Sequence, residues 1–256
     1  MEDPTASPRG TGEMSLIEHL RELRTRLFRA VLALAVGTAI GYALFPYLLD
    51  GLIAPYCAVV EEVGDDACTL IALRPLEPFS VRIRSSLVLG LFFGGPVIFY
   101  QLWQFSTPGL TRRERRATLP FVVSSQVMFA LGIAFAYLII PQALGVLLSL
   151  GGPRIEPLLS ATEYLSFFLA MCIALGLVFE LPLILISLAL VGVIDAAGLA
   201  KARPYAIVAM VAVSAIITPT TDAVTLLLVA GPMWFFYEVS TGVAWLIGRR
   251  RRGKPA

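Results

Sequence analysis

SLIEHLRELRTRLFRAVLALAVG, residues 15–37, decides how the rest of the chain is read. Charges and the only histidine crowd into Glu18–Arg29, and the next stretch, Ala30–Leu49, carries no charge at all. Ser15 followed three residues later by Glu18 is a capping box, which starts a helix. Leu16, Leu20, Leu23 and Leu27 recur at helical spacing as one apolar stripe. Glu22 and Arg26 stand four apart, a favourable ion pair on a helix surface. The stretch reads as an amphipathic helix lying at a membrane surface and running into a membrane span.

Composition agrees with that reading. The chain has 256 residues, 57% of them hydrophobic, with a mean hydropathy of +0.81, which leaves too little polar surface for a water-soluble globule. A bilayer core needs about 20 apolar helical residues to cross. Long runs with that character are Ala30–Leu49, Ser85–Thr111 and Ala117–Pro153, then Tyr164–Ile194, Pro204–Thr221 and Ala223–Gly248. Glu180 interrupts the fourth and Glu238 the sixth. The third contains Pro141 and ends in Gly151-Gly152-Pro153, so it is one span followed by a loop. The expectation is an all-α protein, a bundle of six transmembrane helices; the runs are continuous rather than alternating, unlike barrel strands. The fifth span reads as short, with 15 residues from Pro204 to Thr218.

The arginines set the expected orientation. With the N-terminus inside, the inner segments hold 16 of the 20 Lys and Arg residues, and the outer ones hold Arg74, Arg82, Arg84 and Arg154. Both termini are therefore expected in the cytoplasm, and the protein in the cytoplasmic membrane. The domain reading is a disordered leader over 1–14, a single membrane domain over 15–248 and a basic tail over 249–256. The leader is too short and polar for a cleavable signal.

Candidate chemistry is sparse. One histidine and the lack of HExxH, GxSxG or GxxxxGK leave little for hydrolysis or nucleotide turnover. The reading is therefore of a non-enzyme, with no metal, cofactor or nucleic-acid partner. Cys172 falls inside a span and reads as packing. Cys57 and Cys68 share the first outer loop, where an oxidising compartment favours a disulfide; two unrelated small apolar residues are the alternative.

Two acids stand out. Glu22 lies among Arg21, Arg24 and Arg26, and Glu114 among Arg112, Arg113, Arg115 and Arg116. A topology signal needs only the arginines. A carboxylate held ionised by neighbouring cations is suited to receive cationic groups of a partner, and for Glu22 the helix pair with Arg26 is the competing explanation.

The motifs HLRELRTRL (19–27), PVIFYQLWQFSTPGLTRRERR (96–116), SFFLAMCIALGLVFELP (166–182), KARPY (201–205) and ITPTTD (217–222) resemble the TatC family. That family supplies the polytopic receptor subunit of the twin-arginine protein translocase. The resemblance runs from about Ser15 to Ile247 with its motifs in order. It implies a cup-shaped six-helix bundle that binds twin-arginine signal peptides. With single-span TatA-type and TatB-type partners, the family exports folded proteins at the expense of the proton-motive force.

Residue by residue, the resemblance implies signal-peptide binding by Glu22, Arg24, Phe105, Pro108, Leu110 and Glu114. It implies partner or translocation roles for Pro55, Pro96, Glu180 and Asp222. One extra residue separates Pro219 from Asp222, and Leu226 stands where some members carry a glutamine. The chemistry is consistent, because a planar guanidinium is gripped bidentately by a carboxylate and an ammonium is not. Glu180, about 16 residues into the fourth span, costs roughly 2.5–3.5 kcal/mol to insert and should face a cavity or a partner. The alternative reading is a six-span secondary transporter with Glu180 and Asp222 as coupling acids, although no repeat relates the two halves.

Overall fold

A computed structural model describes residues 16–63, 69–106, 118–149, 160–217 and 223–252. Among them are seven helices. They are α1 (Leu16–Val63), α2 (Glu77–Ser106), α3 (Thr118–Ser149), α4 (Ala161–Phe179), α5 (Leu181–Val191), α6 (Ala196–Ile217) and α7 (Ala223–Arg252). α4 and α5 together make one crossing, so the spans number six, as expected from hydropathy. Extended structure among the described residues is limited to one isolated parallel bridge, Ile71 to Ser160.

Small residues fix the closest helix contacts. A Cβ on Gly37 would lie 2.4 Å from the Gly90 carbonyl oxygen, and one on Gly94 would lie 2.8 Å from that of Ala33. Gly41 meets Ser86 O at 2.8 Å in the same sense. The α1 and α2 backbones therefore touch along just over two turns, the mode of packing that small residues permit where lipid offers no hydrophobic drive. Gly132 of α3 repeats it against α4, where an added Cβ would meet Leu175 O at 2.5 Å.

α4 is the central helix. Half of its span is buried, against 11% for the spans of α1 and α6. Tyr164, Leu165, Met171 and Leu175 on α4 pack with Ile140 and Leu144 of α3 and Val229 and Met233 of α7. The Tyr164 hydroxyl donates to Leu52 O at 2.9 Å and so ties α4 to α1. Two hydroxyls in α6 and α7 turn back to their own helices: Ser214 donates to Met210 O and Ser240 to Phe236 O, each at 2.7 Å. Ser214 also reaches across to Met233 Sδ of α7 at 3.7 Å.

Each departure from the expected boundaries has a local cause. α1 continues through Asp50, Pro55 and Cys57 to Val63, so the residues assigned to the start of an outer loop are helical. The fourth span breaks at Glu180 because Pro182 has no N–H to continue the ladder. Glu180 N turns to Leu177 O at 3.1 Å, and α5 restarts with the proline in its first turn. α5 then stops at Gly192, whose φ of 90° is open to glycine.

The fifth span is not short as a helix. Asp195 accepts the Gly198 N–H at 2.8 Å and starts α6 eight residues before Pro204. Its 22 residues reach about 33 Å, enough for a hydrocarbon core of about 30 Å. The C-terminal arginines to Arg252 belong to α7, so the basic segment begins as helix rather than tail.

Candidate functional site

α1 and α2 run antiparallel with a steady register: Tyr42 lies by Arg82, Thr38 by Gly90 and Ala33 by Gly94. Glu22 precedes Ala33 on α1 and Phe105 follows Gly94 on α2, so both lie toward the same end of the pair. The start of α1 and the end of α2 thus share one end of the bundle. The start of α3, the α5–α6 corner and the end of α7 follow at that end from the order of crossings. This is the arginine-rich end of the molecule.

At that end the Glu22 carboxylate is half-buried and paired with Arg26, whose Nε donates to Oε1 at 3.0 Å. The i,i+4 pair anticipated from sequence is present, and it occupies one oxygen of Glu22. Arg24 is exposed on the same helix, and Phe105 is half-buried at the end of α2. Two residues earlier, Trp103 stacks on Phe121 of α3 with ring centroids 3.9 Å apart. That contact pins together the two helices that flank the segment carrying Glu114. Pro108, Leu110 and Glu114 lie outside the described residues, as does Asp222.

Glu180 is 5% exposed. Its carboxylate has Ser125 of α3 beside it, and Oε1 has no hydrogen-bond partner among the described residues. An acid so placed, at a broken helix inside a span, has polar capacity left for another group. Pro55 is buried in α1, and Pro96 is exposed within α2. Leu226 is half-buried in the first turns of α7. Cys172 is free and buried, and Cys57 is disulfide-bonded; Cys68 lies outside the described residues.

Three arrangements escaped the sequence reading. Glu238, which had no assigned partner, takes a 2.7 Å hydrogen bond from Arg203 of KARPY, joining α6 to α7. One residue away, the Tyr237 hydroxyl donates to Leu199 O at 2.7 Å. The signal was present as two opposite charges at similar depth in neighbouring spans, but 35 residues apart.

The second is Glu77, whose carboxylate binds three backbone N–H groups: Leu73 at 2.7 Å, Arg74 at 3.2 Å and Thr162 at 2.9 Å. With Ala161 N on Ile71 O at 2.9 Å, it clasps the start of α2 to the start of α4 at the far end of the bundle. An acid just before Pro78 marks a helix start, but nothing in the sequence names Thr162.

The third concerns the α2 arginines. Arg82 lies 3.9 Å from the Tyr42 ring centroid and donates to Tyr42 O at 3.2 Å, while Arg84 donates to Ser166 Oγ at 2.8 Å. Both serve helix packing.

Comparison with known proteins agrees with this architecture. Residues 18–232 match the family model described as Sec-independent protein translocase protein (TatC). A protein of that name from Frankia casuarinae is 39% identical over 249 residues, covering 94% of this chain and 68% of its own length. One from Aquifex aeolicus is 39% identical over 242 residues, covering 93% and 98%. A crystal structure of the twin arginine translocase receptor TatC in DDM superposes with a TM-score of 0.77 at 39% identity. It covers 89% of this chain and 99% of its own. A second crystal structure of that receptor gives 0.74 at 37% identity, covering 91% and 100%. A six-span helical membrane protein with these matches along nearly its whole length belongs to the TatC family of Sec-independent protein translocase proteins.

Proposed function

We propose that this protein is the receptor subunit of a twin-arginine translocase, and that its arginine-rich end, facing the cytoplasm, binds the signal peptide. The observation that supports the reading is the antiparallel α1–α2 pair, which puts the start of α1, with Glu22, and the end of α2, with Phe105, at one end of the bundle. Glu114 is the principal carboxylate for the signal guanidinium, and Glu22 the second. Arg24 orients the acids, and Phe105, Pro108 and Leu110 give the signal's hydrophobic segment an apolar edge. Glu22 binds more weakly than Glu114 because Arg26 already holds it.

The protein acts within a complex in the cytoplasmic membrane. TatA-type and TatB-type single-span partners dock in part against the Glu180 carboxylate, which sits at the α4–α5 break with Oε1 unpartnered among the described residues. Pro55, Pro96 and Asp222 support the partner-dependent step, and a Cys57–Cys68 disulfide closes the loop after α1. Folded cargo crosses at the expense of the proton-motive force.

The test is crosslinking in native membranes with paired signal peptides. A photoreactive twin-arginine peptide should crosslink to the segment 107–117 and to the first turns of α1, and its twin-lysine counterpart should not. Equal crosslinking of both, or crosslinks confined to the opposite end of the bundle, would sink the proposal.

A further inference from the structure

A cleft of about 600 Å³ opens between the α5–α6 corner and the last turns of α7. It is separate from the Glu22–Phe105 region, and no role assigned above uses it. Ala189 and Ile194 form one wall, and Ala244 and Ile247 the other. Trp245 and Arg249 stand at its α7 side, with the guanidinium carbon 5.2 Å from the ring centroid. Both are exposed. The two ion pairs among the described residues, Glu22–Arg26 and Arg203–Glu238, leave Arg249 out. Asp195 is on the opposite rim, with one oxygen committed to the Gly198 N–H at the start of α6.

An occupant must be apolar where it meets the alanine and isoleucine walls and anionic where it meets Arg249. The cleft lies at the end of a span that closes with Arg249, the level of lipid headgroups, where tryptophan is enriched as an amphipathic anchor. The sequence then continues with Arg250, Arg251 and Arg252. Arg249 set against one partly committed acid, in a strongly basic stretch of sequence, favours a negative headgroup over a zwitterionic one, the pattern of a basic pocket on a membrane face. A free anion would leave the apolar walls unused.

The geometry points to a binding site for an anionic glycerophospholipid, with its phosphate on Arg249 and the start of an acyl chain between Ile194 and Ile247. The bound lipid bridges α5, α6 and α7, so it fastens the α6–α7 hairpin to the rest of the bundle at this end.

The test is retention of phosphatidylglycerol by the purified full chain, measured by native mass spectrometry after extraction from vesicles of phosphatidylglycerol, phosphatidylethanolamine and phosphatidylcholine in equal parts. One phosphatidylglycerol should be retained in preference to the other two. Arg249→Gln should lower its occupancy about tenfold, the loss expected for one charge-assisted contact. Arg29→Gln removes the same charge from α1 and should leave retention unchanged. Ala197→Trp fills the cleft while keeping Arg249, and should lose the lipid too. Excess inorganic phosphate should not displace the lipid, whereas displacement would make the site one for a free anion. Equal losses with Arg29→Gln and Arg249→Gln, preference for phosphatidylethanolamine, or retention by Ala197→Trp would each overturn the assignment. Circular dichroism and elution volume establish that each variant is folded before its lipid is counted.

Discussion

Replacing Gly90 by alanine should loosen the whole α1–α2 pair. The added Cβ would lie 2.3 Å from Thr38 Oγ1, 2.6 Å from Thr38 N and 2.8 Å from Thr38 Cα. Carbon contacts are comfortable at about 3.5–4.0 Å, so the two backbones must part by about 1 Å at this level. Overpacking of this kind costs about 1–3 kcal/mol, and contact with backbone places it at the upper end. Alanine recovers about 1 kcal/mol of helix propensity, leaving a net loss of about 2 kcal/mol.

Gly145 is the internal control, because a Cβ there meets nothing within 4 Å. Gly145→Ala should be neutral or stabilising by up to about 1 kcal/mol through propensity alone. The assay is equilibrium unfolding in mixed micelles, with the midpoint compared for the two variants. Adding Thr38→Ala to Gly90→Ala should restore only part of the loss, since it removes Oγ1 and leaves the backbone contacts. Twin-arginine peptide affinity should fall with Gly90→Ala although no proposed ligand residue is touched, because the packing that holds the start of α1 and the end of α2 at one end of the bundle is disturbed. If Gly90→Ala proved as stable as Gly145→Ala, the argument from helix contact would be refuted.

Glu114→Gln should lower affinity for a twin-arginine peptide about tenfold, the effect of losing one charge-assisted hydrogen bond, and should shrink the preference over twin-lysine. Glu22→Gln should do so more mildly; equal losses for both peptides would reduce the acids to bulk charge. Glu77→Ala removes the acceptor for Leu73, Arg74 and Thr162, so these amides should exchange with solvent faster while those of α7 keep their protection. Unchanged exchange at Thr162 would mean that the clasp does not hold α4. In a thiol-trapping experiment under denaturing conditions without reductant, Cys172 alone should label, and reductant should add Cys57 and Cys68. Labelling of either loop cysteine before reduction would reject the disulfide.

Only particular parts of this protein were legible in its sequence, and they are the parts governed by short-range physics. A span must be an unbroken apolar helix because lipid offers no partner for a bare peptide group, so six crossings could be read from hydropathy alone. The Glu22–Arg26 pair was legible for a similar reason, since four residues make one helical turn. The glycines were visible, but nothing local distinguishes Gly90, pressed on the backbone of α1, from Gly145, open on α3.

Tertiary structure decided what depends on a partner distant in the chain. Pro204 looked like a helix start, yet Asp195 had already begun α6. α7 holds that first stretch through Tyr237 on Leu199 O and Glu238 on Arg203. Pro55 looked like loop, yet α1 runs on beneath Tyr164, whose hydroxyl donates to Leu52 O. Glu77 is an ordinary helix-start acid until α4 brings Thr162 to it across 85 residues of sequence. Proline and acidic residues have a weak local preference that a single hydrogen bond or packed neighbour outweighs. Only the assembled bundle supplies those neighbours.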